Sequence, residues 1–151
     1  MIQVKDIVKS FEGNVVLDHV SADFEDGKVN MIIGQSGSGK TVLMKSMIGL
    51  HTIDAGQIIF DTRNGQENLA TMREKEVRML HREVGMLFQG AALFDSMTVQ
   101  ENVMYPLEMF SDMSHEQMVE RARFCLQRVD MPERAFSLMP SEISGGMQKR
   151  V

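Results

Sequence analysis

The alternation of apolar and polar positions predicts a strand-rich N-terminal region. Residues Ile2–Phe11 alternate loosely, and a turn at Glu12-Gly13-Asn14 separates them from two further short apolar runs, Val15–Leu17 and Val20–Phe24. Short apolar runs bounded by glycine-containing turns are typical of antiparallel strands. We therefore predict a small antiparallel β region within residues 1–30.

The middle of the chain alternates between predicted strands and predicted helices. Mostly apolar runs at Val29–Ile33 and Val84–Phe88 predict buried strands, and Gln57–Asp61 predicts another strand. Residues Val42–Leu50 have the length and apolar spacing of a helix, while the mixed-charge stretch Met72–His81 predicts a short helix with a solvated face. This order predicts an α/β core over residues 31–90.

The last third of the chain is predicted to be helical. Thr98 followed by Glu101, and Ser114 followed by Gln117, have the spacing of capping boxes, in which two residues satisfy the free amides at a helix start. The first helix should run to about Leu107, and the second should cover residues 116–129. We assign residues 91–143 to a helical subdomain and residues 144–151 to the start of a further helix.

Composition and charge exclude several classes of protein. At 151 residues, 43 % hydrophobic and 25 % charged, the chain has the size and composition of a globular domain. A formal net charge of −5 argues against a nucleic-acid-binding surface. No apolar run approaches the roughly 20 residues of a membrane-spanning helix, and the N-terminus lacks a signal-peptide pattern. With a single cysteine the chain cannot form an internal disulfide, so the sequence favours a cytoplasmic protein.

The stretch GQSGSGKT, Gly34–Thr41, matches the phosphate-binding loop pattern G-x-x-x-x-G-K-[ST] between a predicted strand and a predicted helix. Its glycines at 34, 37 and 39 allow the backbone to wrap closely around a phosphate group with its amide N–H groups pointing inward. Lys40 supplies a positive charge for the β- and γ-phosphates, and the Thr41 hydroxyl suits Mg²⁺. The alternative, an incidental glycine-rich turn, does not account for the strand–loop–helix context.

Three further residues are candidates with open alternatives. Phe11 precedes a glycine turn, where its ring could stack on a base, although an aromatic residue in a strand belongs by default to the core. Gln89 ends a predicted strand of an α/β sheet, where ligands bind, so its amide could reach a metal ion or a water molecule; the alternative is a solvated glutamine. Asp61 also ends an apolar run, but Thr62 follows it where a catalytic glutamate would be needed, and we interpret it as non-catalytic. No histidine has a partner at metal-ligand spacing, so we predict no metal site formed by the protein alone.

A second glycine-rich helix start lies near residue 144. Ser144 is a good N-cap residue, and Gly145 and Gly146 leave the first amides of the helix bare. Such a start suits an anion, although a flexible turn is an equal alternative from these residues alone.

Together, the phosphate-binding loop, Gln89 and the Ser144-Gly145-Gly146 sequence resemble the ATP-binding subunits of ABC transporters in order and approximate spacing. The resemblance covers the whole chain, 1–151. It implies an α/β P-loop NTPase core of ABC type with an N-terminal antiparallel β subdomain and a helical subdomain, incomplete at the C-terminus. It also implies ATP and Mg²⁺ as cofactors.

The resemblance assigns roles to individual residues. Phe11 falls at the adenine-stacking position, Gln89 at the glutamine that senses Mg²⁺ and the membrane partner, and Ser144-Gly145-Gly146 at the signature that contacts the γ-phosphate held by a second copy in a head-to-tail dimer. Val42 replaces a second hydroxyl residue, which reduces an α-phosphate contact to its backbone amide. Lys40 and Gln89 are expected to serve catalysis, and Thr41 and Gln89 are expected to bind the metal. The loop residues expected to contact the phosphates and Mg²⁺ are Gly34, Gln35, Ser36, Gly37, Ser38, Gly39, Lys40, Thr41 and Val42.

Two segments, Met86–Leu107 and Leu138–Met147, resemble more narrowly the ATPase subunits of bacterial lipid-transport systems that maintain outer-membrane lipid asymmetry. This resemblance implies a transmembrane permease subunit as partner, membrane contact only through that permease, and a location on the inner face of the cytoplasmic membrane. No apolar strand ending in Asp-Glu and no switch histidine occurs in the sequence, so we expect a fragment of a longer ATPase that binds ATP without turnover. The remaining alternative is an ABC-type ATPase that is not coupled to transport.

Overall fold

The computed structural model describes residues 1–62, 65–88 and 90–151. The chain forms two compact units, Met1–Gly85 and Met86–Val151. Each unit is described by itself below. No helix within the described residues is long and apolar enough to cross a membrane.

The first unit is built on a four-stranded antiparallel sheet. Strands β1 (Ile2–Phe11), β2 (Asn14–Phe24), β3 (Ala55–Thr62) and β4 (Gly65–Asn68) lie in the order β2-β1-β3-β4. The predicted antiparallel region and the predicted strand near residue 57 are confirmed, and β1 occupies an inner position between its hairpin partner and β3. One face of the sheet packs on the helix α1 (Lys40–Met47), and the core residues are Val4, Ile7, Leu17, Leu43, Met47, Ile58, Phe60, Leu69 and Leu80.

A backbone irregularity explains why β2 looks like two strands in the sequence. Asp6 and His19 both have a positive φ, 52° and 49°, and the ladder shifts register between Val4 and Ile7. The His19 Nδ1 and Asp6 Oδ1 atoms lie 2.9 Å apart, and this contact raises the pKa of His19. Residues 15–17 and 20–24 therefore belong to one bulged strand rather than to two short ones.

Two short helical elements follow the sheet in the first unit. A turn of 3-10 helix at Leu69–Thr71 precedes α2 (Glu74–Leu80), which confirms the predicted mixed-charge helix. Gly49 follows the last turn of α1 with φ 75°, so α1 is shorter than the predicted 42–50 helix.

The second unit contains the two predicted capped helices. They are α3 (Val99–Phe110) and α4 (His115–Arg128), and each begins with the complete capping box that the sequence indicated. Turns of 3-10 helix at Glu133–Ala135 and Pro140–Glu142 lead to the short helix α5 (Gly145–Gln148). The buried cluster of this unit consists of Val99, Leu126, Met131, Ala135, Phe136 and Ile143.

Two predicted strands are not formed. Residues 29–33 and 84–88 have no strand assignment, and Val29, Met31 and Ile33 are 93 %, 76 % and 84 % exposed. A strand needs a hydrogen-bonded neighbour, and the sheet order includes neither segment among the described residues. An apolar run indicates that a segment can be buried, but it does not provide the neighbouring strand that hydrogen bonding requires. The prediction of buried strands at 29–33 and 84–88 was therefore wrong.

Candidate functional site

The phosphate-binding loop joins residues 29–33, which form no strand, to the first residue of α1. Gly37 and Gly39 have φ values of 82° and 86°, which residues with a Cβ atom rarely adopt. A Cβ on Gly39 would lie 3.0 Å from the Val16 carbonyl oxygen, and a Cβ on Gly34 would lie 2.8 Å from Ser38 Oγ. Backbone conformation thus requires glycine at positions 37 and 39, and the carbonyl of Val16 in β2 adds a close contact at position 39.

Lys40 folds back over the loop that precedes it. Its Nζ donates hydrogen bonds to the carbonyl oxygens of Gly34 and Gln35, at 2.8 and 2.6 Å, and lies 3.5 Å from Ser38 Oγ. The Ser38 amide in turn donates to the Gln35 carbonyl at 3.2 Å, which closes the turn. These contacts hold a fixed ammonium group at the start of α1, where an anionic ligand would meet it.

The start of α1 differs from the starts of the two long helices of the second unit. Gly39 is its N-cap residue, in the left-handed conformation, and no side chain accepts a hydrogen bond from the first amides. Helices α3 and α4 begin instead with Thr98 and Ser114, whose hydroxyls each accept from an amide. Because the first amides of a helix need acceptors and its N-terminal dipole end favours negative charge, an uncapped start next to a lysine fits a phosphate group.

A cleft of about 380 Å³ opens beside this helix start. Lys40 and Thr41 line it together with Phe24, Asn30 and Ile32, and Thr41 is exposed. A hydroxyl oxygen suits the hard, oxygen-preferring Mg²⁺ ion, so Thr41 fits the metal position predicted from the sequence. Val42 is half-buried against the core of the first unit, which agrees with a contribution from its backbone rather than its side chain.

Phe11 ends β1 and pairs with Asn14 of β2, the strand that Gly39 contacts through Val16. Its side chain is 38 % exposed, so it does not belong to the buried core. Two groups that the sequence did not reveal lie against this ring, and a third holds one of them in place. The Lys9 Nζ lies 5.2 Å from the ring centroid, and the His51 ring lies 5.4 Å away at 77°. Asp54 accepts from Lys9 Nζ at 3.0 Å and from the Ser10 amide at 2.6 Å, and these bonds hold the pKa of Asp54 below its usual range.

Gln89, Asp61 and a metal site formed by the protein alone were also considered in the sequence. Gln89 lies outside the described residues, between the ranges 65–88 and 90–151. The Asp61 carboxylate accepts from Gln66 Nε2 at 3.1 Å and lies 3.5 Å from the terminal amino group of Met1, so hairpin contacts engage it. In the part of the chain that the structure describes, no group of three or more acidic, histidine or cysteine side chains could hold a metal ion.

The Ser144-Gly145-Gly146 sequence forms the start of α5. Ser144 Oγ accepts from the Met147 amide at 3.3 Å, as its N-cap role predicted. All three residues are exposed, neither glycine has a positive φ, and a Cβ on Gly145 would meet nothing within 4 Å. Nothing inside this unit therefore requires glycine at position 145.

The segment that follows Gln89 is fixed by an asparagine that the sequence analysis missed. Asn102 Oδ1 accepts from the Phe94 amide at 2.8 Å. Its Nδ2 lies within 3.1 Å of the carbonyl oxygens of Phe94, Met97 and Thr98. The Phe94 ring, 46 % exposed, packs against Tyr105 with ring centroids 4.7 Å apart. One side chain of α3 thus determines the shape of a partly apolar surface loop.

Comparisons with known proteins show which protein family this chain resembles. The ABC transporter family model matches residues 17–151. The methionine import ATP-binding protein MetN of Clostridium tetani is 34 % identical over 152 residues, covering 100 % of this chain and 46 % of MetN. The intermembrane phospholipid transport system ATP-binding protein MlaF of Escherichia coli is 33 % identical over 150 residues, covering 99 % of this chain and 54 % of MlaF.

Solved structures agree with the sequence relatives. A dimer of the ATP-binding cassette MJ0796, in a post-hydrolysis state bound to ADP and phosphate, matches with a TM-score of 0.87 and 27 % identity over 99 % of this chain and 66 % of that chain. The predicted ABC-type α/β fold is therefore confirmed. The chain spans about half the length of the curated relatives it matches.

Proposed function

Because the chain belongs to the ABC transporter family, we propose that it forms the ATP-binding region of a transport ATPase, with the triphosphate held by the loop Gly34–Thr41. The observation that supports this most strongly is the uncapped start of α1, where Lys40 lies over a loop that requires glycine. Several amide donors and one ammonium, each contributing about 1.5–3 kcal/mol to a charged acceptor, suffice to bind a nucleotide tail.

The chain's own residues have distinct roles in this proposal. The loop amides and Lys40 bind and orient the β- and γ-phosphates, and the exposed ring of Phe11 stacks on the base. Thr41 would hold Mg²⁺, with Gln89 as the second proposed contact. The ion would neutralise charge that develops on the phosphate oxygens during hydrolysis.

We propose that residues 1–151 bind ATP without steady-state turnover. Hydrolysis needs a group that positions or deprotonates the attacking water. Asp61 is engaged by hairpin contacts and is not suited to that role. A turnover assay on residues 1–151 tests this, and hydrolysis that disappears in Asp61→Asn would show that Asp61 had been misinterpreted.

We propose that the Ser144-Gly145-Gly146 surface contacts nucleotide bound to a second copy of the protein. Its glycines are exposed, and no contact within this unit requires a residue without a side chain at these positions. A close approach by another molecule supplies one, since the absence of a Cβ allows a phosphate to reach the backbone.

A membrane-protein partner is proposed for the loop 90–97, with no role for nucleic acid. Its exposed Phe94 is held in place by Asn102, and such a fixed apolar surface suits docking of a permease segment. The test is retention of the permease by the full-length Phe94→Asp variant, with Phe124→Asp, a similarly exposed aromatic on α4, as the control. Loss of the permease only in Phe94→Asp is expected, and equal retention by both variants would move the docking surface elsewhere.

Phospholipid is the cargo we propose, with methionine as the competing candidate. The sequence segments Met86–Leu107 and Leu138–Met147 favour lipid transport, and MlaF is named for phospholipid transport. MetN, at a similar identity, is named for methionine import. Stimulation of ATP hydrolysis in the reconstituted transporter by phospholipid, compared with methionine, distinguishes the two.

The experiment that tests nucleotide binding is a thermal shift of the full-length protein with Mg-ATP. Ligand at a hundred times its dissociation constant stabilises by about 2.7 kcal/mol. Lys40→Ala should lose this shift, whereas Lys45→Ala, in the last turn of the same helix, should keep it. A folded wild-type protein whose melting temperature does not respond to ATP would overturn the proposal.

A further inference from the structure

The end of β1 carries a buried cation that the proposed phosphate site does not use. Lys9 is only 9 % exposed, and it is the one charged residue in the buried part of the described chain. A buried ammonium needs a partner to offset the cost of removing it from water. Asp54 supplies it, with Oδ1 3.0 Å from Lys9 Nζ.

Asp54 also fixes the backbone at this position. Its second oxygen accepts from the Ser10 amide at 2.6 Å, and its own amide donates to the Val8 carbonyl at 2.8 Å. These bonds join three consecutive residues of β1 to the segment immediately before β3. The backbone next to Phe11 is therefore held at two points by one residue.

The same cluster holds the Phe11 ring directly. Lys9 Nζ lies over the ring at 5.2 Å from its centroid, within the range of a cation–π interaction. His51, three residues before Asp54, contacts the ring at a steep angle. The ring is still 38 % exposed, so part of it remains available to a planar ligand.

We propose that Lys9 and Asp54 are positioning residues that orient the Phe11 ring for stacking on the nucleotide base. This inference rests on the proposed function and assigns separate residues to the phosphates and to the base. The loop Gly34–Thr41 binds the triphosphate, while the Lys9–Asp54 pair acts only through the aromatic ring. A ring that is already ordered loses less conformational entropy when the base binds, and a cation on the ring polarises it toward an electron-rich purine.

The test compares two ligands that share the phosphate chain and differ in the base. Affinities of ATP and of inorganic tripolyphosphate are measured by calorimetry on the full-length protein. Lys9→Met, which keeps the apolar stem and removes the charge, should weaken ATP about three- to tenfold and leave tripolyphosphate unchanged. Lys5→Met, an exposed lysine on the same strand, is the matched control and should change neither affinity.

A double-mutant comparison shows whether the effect passes through the ring. In a Phe11→Leu background, Lys9→Met should cause no further loss of ATP affinity. The inference would be overturned if Lys9→Met weakened the binding of ATP and tripolyphosphate equally, or if it lowered ATP affinity further in the Phe11→Leu background. Either result would mean that Lys9 acts through its charge on the whole site or through protein stability. If Lys9→Met does not fold, Asp54→Asn makes the same comparison, because it keeps an acceptor for the Ser10 amide and removes the charge.

These outcomes separate the inference from the proposed function. A wild-type protein that binds neither ligand, or a Lys40→Ala variant that binds both as well as wild type, contradicts ATP binding by the loop. Unchanged ATP affinity in Lys9→Met, with binding still dependent on Lys40, contradicts only the positioning role.

Discussion

Two glycine-rich helix starts in this chain are similar in sequence and opposite in construction. At α1 the glycines are required from within, by positive φ at Gly37 and Gly39 and by the neighbouring Val16 carbonyl, and no side chain caps the helix. At α5 a serine caps the helix, and Gly145 has neither a positive φ nor a neighbour. In the proposed function, the first start holds the protein's own nucleotide, whereas the second leaves space for the nucleotide of a second copy.

The largest expected effect is on the first start. Gly39→Ala would force an L-residue to φ 86° and place its Cβ against a backbone carbonyl. The free energy of unfolding should fall by about 2–4 kcal/mol, measured by urea denaturation, and ATP should no longer raise the melting temperature. Gly13→Ala, at φ 84° but with nothing within 4 Å, is the control that isolates backbone conformation from crowding. A Gly39→Ala variant that is no less stable than Gly13→Ala would remove the crowding argument.

A smaller effect is expected from the serine cap of α5. Ser144→Ala removes the acceptor of the Met147 amide and should lower stability by about 1 kcal/mol. Ser144→Asn restores an acceptor and should recover most of the loss in the same denaturation experiment. A Ser144→Ala variant that is as stable as wild type would contradict the role assigned to this cap.

Gly145→Ala should leave the stability within about 0.5 kcal/mol of wild type, because the added methyl group meets nothing in this unit. In the full-length protein the same change should still allow ATP binding but lower hydrolysis, because the approach of the second copy is obstructed. Binding is measured by thermal shift and turnover by phosphate release. Wild-type turnover in Gly145→Ala would remove the reason for assigning this surface to a partner.

The smallest effect distinguishes capped from uncapped helices by pH. The Thr98 amide and hydroxyl both donate to the Glu101 carboxylate and lower its pKa from the ordinary value of 4.5, while the first turn of α1 has no acid. A lowered folded-state pKa contributes stability that is complete above 4.5 and is lost as the pH falls through the lowered value. The stability difference between wild type and Glu101→Gln should therefore shrink on acidification. A Glu101→Gln difference that does not depend on pH would contradict the prediction.

Short-range features were predictable from the sequence because their partners lie within a few residues. The phosphate-binding loop, the hairpin around Gly13 and the caps at Thr98, Ser114 and Ser144 are all of this kind. The Lys9–Asp54 pair was not predictable, because 45 positions separate its members and neither belongs to a pattern. The strands expected at 29–33 and 84–88 failed for a related reason, since strand formation depends on a neighbour that the segment's own sequence does not specify.

The position of β1 between β2 and β3 has a consequence for the order of folding. The β1–β2 hairpin needs only local contacts and can form within microseconds, whereas pairing of β1 with β3 must first close the whole stretch 25–54, which contains the phosphate-binding loop and α1. Asp54 reaches Lys9 only when that closure is complete. A chain emerging from the ribosome would therefore form the Lys9–Asp54 contact beside Phe11 late, when β3 docks on β1.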